Sequence, residues 1–259
     1  MIADALTIYF AAVSIGNESV PLNNTLTLTE VDNIIGNIIG TSFLSNSSSS
    51  YIIIQPVQQG NKLVLGASTA GNGMGDIVDT LNQESITNST ISTAAIISNE
   101  SLAGVTYLSM LIINNPIQYR HIDNSANKTL VSSVIVVAVQ RDPNITQQSM
   151  NISLFFQVLD EFKSNFTNID YYCSFYDANN SQWNESGCTK PIYNSRWNRY
   201  ECSCNHLTSF ALVASSQTAN VTTEPTSTTT TPSPSQFCVN ATHTLLPNGT
   251  CVLTAAATV

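Results

Sequence analysis

Four cysteines, Cys173, Cys188, Cys202 and Cys204, fall within residues 172–213, and they constrain this chain more than any other feature. In an oxidising compartment they imply two disulfides, so this stretch must fold back on itself. Cys202 and Cys204 are two apart and in a strand point to the same face. Bonding them to each other would close a very tight ring, so each reaches back to Cys173 or Cys188. Local geometry does not choose between the two remaining pairings. A zinc site is the rival reading, because Cys202, Cys204 and His206 alternate and two further cysteines are near. Paired C-x-x-C spacing is absent, and we expect no metal.

The compartment follows from composition. Charged residues make up only 10% of the 259, so something else must keep the surface soluble. Asn-X-Ser/Thr sequons begin at Asn17, Asn23, Asn46, Asn88, Asn99, Asn127, Asn144, Asn151, Asn165, Asn179, Asn184, Asn220, Asn240 and Asn248. Fourteen acceptors in a low-charge chain point to a glycoprotein of the secretory pathway, extracellular or at the cell surface. The net charge of −9 is spread thinly and there is no Lys/Arg run, so no nucleic-acid partner is expected. No stretch reaches the roughly 18 apolar residues of a membrane span. The best candidate, residues 6–15, is too short. The N-terminus lacks a basic region and carries Asp4, so it reads as a start inside a larger protein rather than as a signal peptide. Any membrane attachment would come from a parent segment outside this sequence.

Residues 1–50 form an N-terminal segment with a short helix. Thr27-Leu28-Thr29-Glu30 fits a capping box, and Val31, Ile34, Ile35, Ile38 and Ile39 follow at helical spacing as far as Gly40. From residue 51 the pattern changes to short β-rich runs, at 51–57, 62–66, 92–98, 105–113, 130–140 and 152–158, with turn residues between them. The run 134–139 is nearly all apolar, as a strand buried on both faces requires. Strands without alternating helices favour an antiparallel β-sandwich over residues 51–215, mainly β. The glycines of 71–75 have the wrong spacing for a dinucleotide fingerprint. Residues 216–236, rich in Thr, Ser and Pro, read as a disordered, mucin-like stalk or linker. Residues 237–259 form a small fragment in which Cys238 and Cys251 are expected to pair.

His206-Leu207-Thr208 has a chemical reading of its own. A hydroxyl attacks a carbonyl when a base takes its proton, and a nearby His can be that base. Attack by Thr208 Oγ on the Leu207 carbonyl would give an ester, which water would hydrolyse. The tripeptide alone is common and weak as a signal.

The wider context is specific. Cys173-Ser174-Phe175-Tyr176-Asp177, Trp183, Gly187-Cys188 and Cys202-Ser203-Cys204-Asn205-His206-Leu207-Thr208-Ser209-Phe210-Ala211 together resemble the GPS motif. That motif closes the GAIN domain of adhesion G-protein-coupled receptors and polycystin-type proteins, and here it spans residues 171–215. The strands from about Tyr51 resemble the β-sandwich subdomain B of that family. The helix near Val31 resembles a remnant of helical subdomain A.

The resemblance implies Cys173–Cys202 and Cys188–Cys204 disulfides, Trp183 in the core, His206 as base, Thr208 as nucleophile and cleavage after Leu207. It implies that the C-terminal piece stays bound non-covalently through the strand Thr208, Ser209, Phe210, Ala211, Leu212 and Val213, a tethered agonist in the receptors. No cofactor is implied, and one cleavage per molecule is not turnover catalysis. The chain departs from the receptor pattern at Tyr176, where Trp is usual, and at Val213 and Ala214, where Leu and Met are usual. It also continues into the stalk where receptors enter the membrane. The alternative is an uncleaved, disulfide-braced interaction domain that meets an extracellular ligand. An enzyme acting on other molecules is disfavoured, because His121 and His243 belong to no constellation.

Overall fold

The computed structural model describes residues 2–13, 25–38, 42–70, 74–120, 128–145, 149–163, 169–216, 243–245 and 251–253. The chain divides into two units, residues 1–217 and 218–259.

Among the described residues the first unit has three α-helices, α1 (Ile2–Val13), α2 (Leu28–Asn37) and the short α3 (Gln83–Thr87). Its strands begin with β1 (Phe43–Asn46), β2 (Ser50–Pro56), β3 (Gln58–Gln59), β4 (Lys62–Thr69) and β5 (Gly75–Asp79). Next come β6 (Thr93–Ile97), β7 (Val105–Ile113), β8 (Lys128–Leu130), β9 (Val134–Arg141) and β10 (Ile152–Phe156). The last five are β11 (Ile169–Asp177), β12 (Gln182–Asn184), β13 (Ile192–Asn194), β14 (Arg199–Cys204) and β15 (Ser209–Ser216). All pairings are antiparallel. One sheet runs β1-β2-β7-β9-β15-β11-β12, with β8 also on β15. The other runs β13-β14-β10-β6-β4-β3, with β5 on β4.

Period-two alternation explains the layering. Tyr51, Ile53, Met110, Ile112, Ile135, Val137, Phe210 and Leu212 fill the space between the sheets. Their neighbours Ile52, Ile54, Leu111, Ile113, Val134, Val136, Ala211 and Val213 point the other way. There they meet Ala3, Leu6, Phe10 and Val13 of α1 and Leu28, Val31 and Ile35 of α2. The strands at the middle of the larger sheet are therefore apolar on both faces, as expected for 134–139. The fold is a β-sandwich with a helical layer on one outer face.

The capping box at α2 is formed. Thr27 Oγ1 accepts from Glu30 N at 3.2 Å, and Glu30 Oε2 accepts from Thr27 N at 2.7 Å. The helix ends at Asn37, earlier than the expected Gly40, with Ile38 already extended at the C-cap. Ile39 and Gly40 lie outside the described residues. Residues 1–50 hold more than one helix, since α1 covers most of the apolar 6–15 stretch and β1 already belongs to the sandwich. The single run expected at 130–140 is two strands, and the Ser132 hydroxyl fills the gap by accepting from Leu212 N at 2.8 Å.

In the second unit His243–Leu245 and Cys251–Leu253 pair antiparallel as β16 and β17. Cys238, and with it the Cys238–Cys251 pairing, lies outside the described residues, as does the expected stalk from residue 217 onward.

Candidate functional site

Two disulfides frame the end of β14. Cys173 of β11 bonds Cys202 of β14, so this bridge crosses from one sheet to the other. Cys188 bonds Cys204, facing it as an isolated antiparallel bridge. All four sulfurs are thereby used.

Asn205 and His206 follow immediately. Asn205 N donates to Gly187 O at 3.0 Å, tying the corner to the Cys188 loop. His206 Nδ1 lies 3.1 Å from Asn205 Oδ1. An amide oxygen only accepts, so Nδ1 carries the proton and Nε2 the lone pair. Nε2 is buried and has no hydrogen-bond partner among the described residues. The ring meets Phe175 edge-on at 4.4 Å between centroids, and Phe210 lies 5.6 Å away. Phe175 and Phe210 are cross-strand partners of β11 and β15, so the sheet itself supplies this aromatic wall. Burial lowers the His206 pKa below the ordinary imidazole value, which favours the neutral ring.

Leu207 packs half-buried against the inter-sheet core. Thr208 follows, and its carbonyl accepts from Val137 N at 3.1 Å. From Ser209 on, the chain is a central strand. β15 pairs with β11 along its length, with β9 at Ser209 and Phe210, and with β8 from Val213 to Ser215. Ser209, Phe210, Ala211, Leu212 and Val213 are all buried.

The Thr208 hydroxyl turns toward the helical layer and donates to Asp32 Oδ2 of α2 at 3.0 Å. Ser209 Oγ donates to Asp32 Oδ1 at 2.9 Å. Burial raises the Asp32 pKa, opposed by the Ser209 and Thr208 hydroxyls and the Ser209 backbone N–H. Sequence reasoning overlooked Asp32. The available signal was an acidic residue beside Val31 and one turn from Ile35, at the margin of an otherwise apolar helix face.

Trp183 is buried on β12 and meets Tyr176 edge-on at 5.8 Å, within the layer that α1 and α2 cover. Asn46, Asn88, Asn99, Asn144, Asn151 and Asn179 are exposed, and Asn184 is half-buried. Asn17, Asn23, Asn127, Asn165, Asn220, Asn240 and Asn248 lie outside the described residues, as does His121. His243 falls on β16. Among the described residues no cluster of His, Cys, Asp and Glu is arranged to hold a metal, and no helix is long and apolar enough to cross a membrane.

A helix-backed antiparallel sandwich whose penultimate segment is a doubly cross-linked Cys/His-Leu-Thr corner defines a class of domain. The family model described as GPS, GAIN subdomain B, matches residues 37–218, and the chain belongs to that family. Among solved structures, the full extracellular region of zebrafish Gpr126/Adgrg6 is similar at 19% identity and a TM-score of 0.44. The match covers 70% of this chain and 25% of that one, so this chain spans about a quarter of that structure's length. No curated protein sequence matches.

Proposed function

We propose that this chain is an extracellular GAIN/GPS module of a receptor-like or adhesion protein that cuts itself once, between Leu207 and Thr208. The Thr208 hydroxyl attacks the Leu207 carbonyl, the acyl group shifts from nitrogen to oxygen, and water hydrolyses the ester. His206 serves as a base. Its neutral ring and unclaimed Nε2 lone pair suit it to take up a proton. The observation that carries the reading is the position of the Leu207–Thr208 bond. It lies between a disulfide-clamped His206 and a strand whose Thr208 carbonyl is already in the sheet ladder. The two pieces stay together because β15 keeps its pairing with β11, β9 and β8 after the cut. The exposed sequon asparagines support glycosylation and passage through the secretory pathway. The partners are then the chain's own C-terminal fragment and an extracellular ligand, with membrane attachment through a parent segment.

A second reading, an uncleaved and disulfide-braced interaction domain, draws on one observation. At rest the Thr208 hydroxyl donates to Asp32 and not to His206. Expression in animal cells behind a signal peptide, deglycosylation and a reducing denaturing gel separate the two. A fragment beginning Thr208-Ser209-Phe210, absent from Thr208→Ala, is the expected result. A single full-length band in both lanes would leave the braced domain as the function.

A further inference from the structure

The proton of the nucleophile points at a residue outside the motif. Thr208 Oγ1 and Asp32 Oδ2 are 3.0 Å apart, within the range for proton abstraction by a general base. The other carboxylate oxygen is held by Ser209 Oγ at 2.9 Å, so the group is gripped from both sides. Its own element is pinned as well. Val31 and Ile35 are fully buried under the larger sheet, and the Thr27–Glu30 capping box fixes the start of α2. A carboxylate on a rigid helix, aimed at a hydroxyl one residue before a central strand, is the arrangement a base requires.

We infer that Asp32 is a catalytic residue of the cleavage, the base that takes the Thr208 hydroxyl proton in the acyl shift. The inference rests on the self-cleavage reading above. The Thr208 Oγ proton passes to Asp32 Oδ2 as Oγ bonds to the Leu207 carbonyl carbon. The Leu207 C–Thr208 N bond then breaks, and the proton moves from the Asp32 carboxyl to the departing Thr208 nitrogen, which becomes the free amine. The carboxylate is restored, and the Leu207 acyl group sits as an ester on Thr208 Oγ. His206, whose Nε2 lone pair Thr208 does not occupy, is left for the water that hydrolyses this ester.

Burial favours this assignment, because a carboxylate raised above its ordinary pKa binds a proton more tightly and is the stronger base. The groups acting on Asp32 are the Thr208 and Ser209 hydroxyls and the Ser209 N–H. The inference also gives the helical layer a chemical task. A sandwich lacking α2 would keep His206, Leu207 and Thr208 and lose the base that starts the reaction.

The experiment follows cleavage by pulse–chase of the full chain in animal cells, with wild type, Asp32→Asn and Thr208→Ala compared. Asn has the shape of Asp and still accepts a hydrogen bond, so a merely structural Asp32 would tolerate it. The expected result is cleavage slowed by about 100-fold or more in Asp32→Asn, in line with loss of a general base, with secretion intact. Native hydroxylamine, which cuts esters and spares amides, should release nothing from Asp32→Asn. Should Asp32→Asn not be secreted, Asp32→Ser answers the same question with a smaller side chain. Cleavage of either variant at the wild-type rate, or release of the fragment by hydroxylamine, would overturn the role of Asp32 and leave self-cleavage standing. An uncleaved wild type would overturn both.

Discussion

Gly187 and Asn205 touch so closely that no side chain fits between them. Gly187 has φ of +78°, and a Cβ there would lie 2.4 Å from Asn205 Oδ1 and 3.2 Å from His206 Nδ1. The amide oxygen that orients the His206 ring is therefore held where it is by the absence of a side chain opposite. Gly187→Ala must adopt a left-handed backbone and push the exposed Asn205 amide aside. We expect a loss of roughly 1–3 kcal/mol in stability from the backbone alone and slower cleavage from the misdirected ring. Thermal unfolding and pulse–chase measure the two, and an unchanged cleavage rate would show that Asn205 does not orient His206.

The two ionisable groups at the bond carry opposite signs. Burial lowers the His206 pKa, so its share of stability is present above the ordinary imidazole value and is lost as pH falls through the folded one. Burial raises the Asp32 pKa, so its share is present below the ordinary carboxylate value and is lost as pH rises through the folded one. Ionising Asp32 therefore weakens the fold. Thr208→Ala/Asp32→Asn should unfold no more easily than Thr208→Ala at pH 7, with any advantage shrinking below about pH 4. The cleavage rate should fall as pH drops from about 6.5 toward 4, where both bases take protons. Measuring it after synthesis into microsomes at set pH tests this, and a rate that rises on acidification would contradict it.

The parts of this architecture that were legible in the sequence are local or periodic. The Thr27–Glu30 box, the 105–113 strand and the doubly apolar 134–139 run carry their structure in neighbouring residues. Pairing partners do not. Nothing near Lys128 announces that β8 and β9 share one edge of β15, because the joint is made at Leu212, whose carbonyl accepts from Val131 N and whose N–H donates to the Ser132 hydroxyl from 80 positions away. The Cys/His-Leu-Thr corner was visible only as a family motif. Asp32 stayed hidden for the same physical reason, since it and Thr208 are 176 positions apart and only the packing of α2 on the sheet brings them together.

The Cys173–Cys202 bridge joins the sheets across a separation of 29 residues. Chain-entropy arguments give such a loop about 3–4 kcal/mol. Replacing both cysteines with Ser should lower the midpoint of thermal unfolding by roughly 10 °C in a sandwich of this size. It should also slow cleavage, because Cys202 anchors the strand that delivers His206. A variant with the wild-type midpoint would mean that the aromatic wall alone holds the sheets in register.

All four of these cysteines precede Thr208, so no bond of either bridge crosses the cut. Among the described residues β15 is what would hold the C-terminal fragment after cleavage, and reducing agent should not release it. Release should instead follow the strength of the β15 ladder. One place to weaken it is the gap between β9 and β8, where Leu212 N donates to the buried Ser132 hydroxyl. Ser132→Ala leaves that buried N–H without its partner, at a cost of about 1–3 kcal/mol. The variant should still cut itself, since Ser132 lies away from the bond, and its fragments should part at a lower urea concentration than wild type. Size-exclusion chromatography across a urea series reads this directly. Fragments that separate in reducing buffer without denaturant would show that the ladder does not hold them, and equal midpoints for the two proteins would remove Ser132 from it.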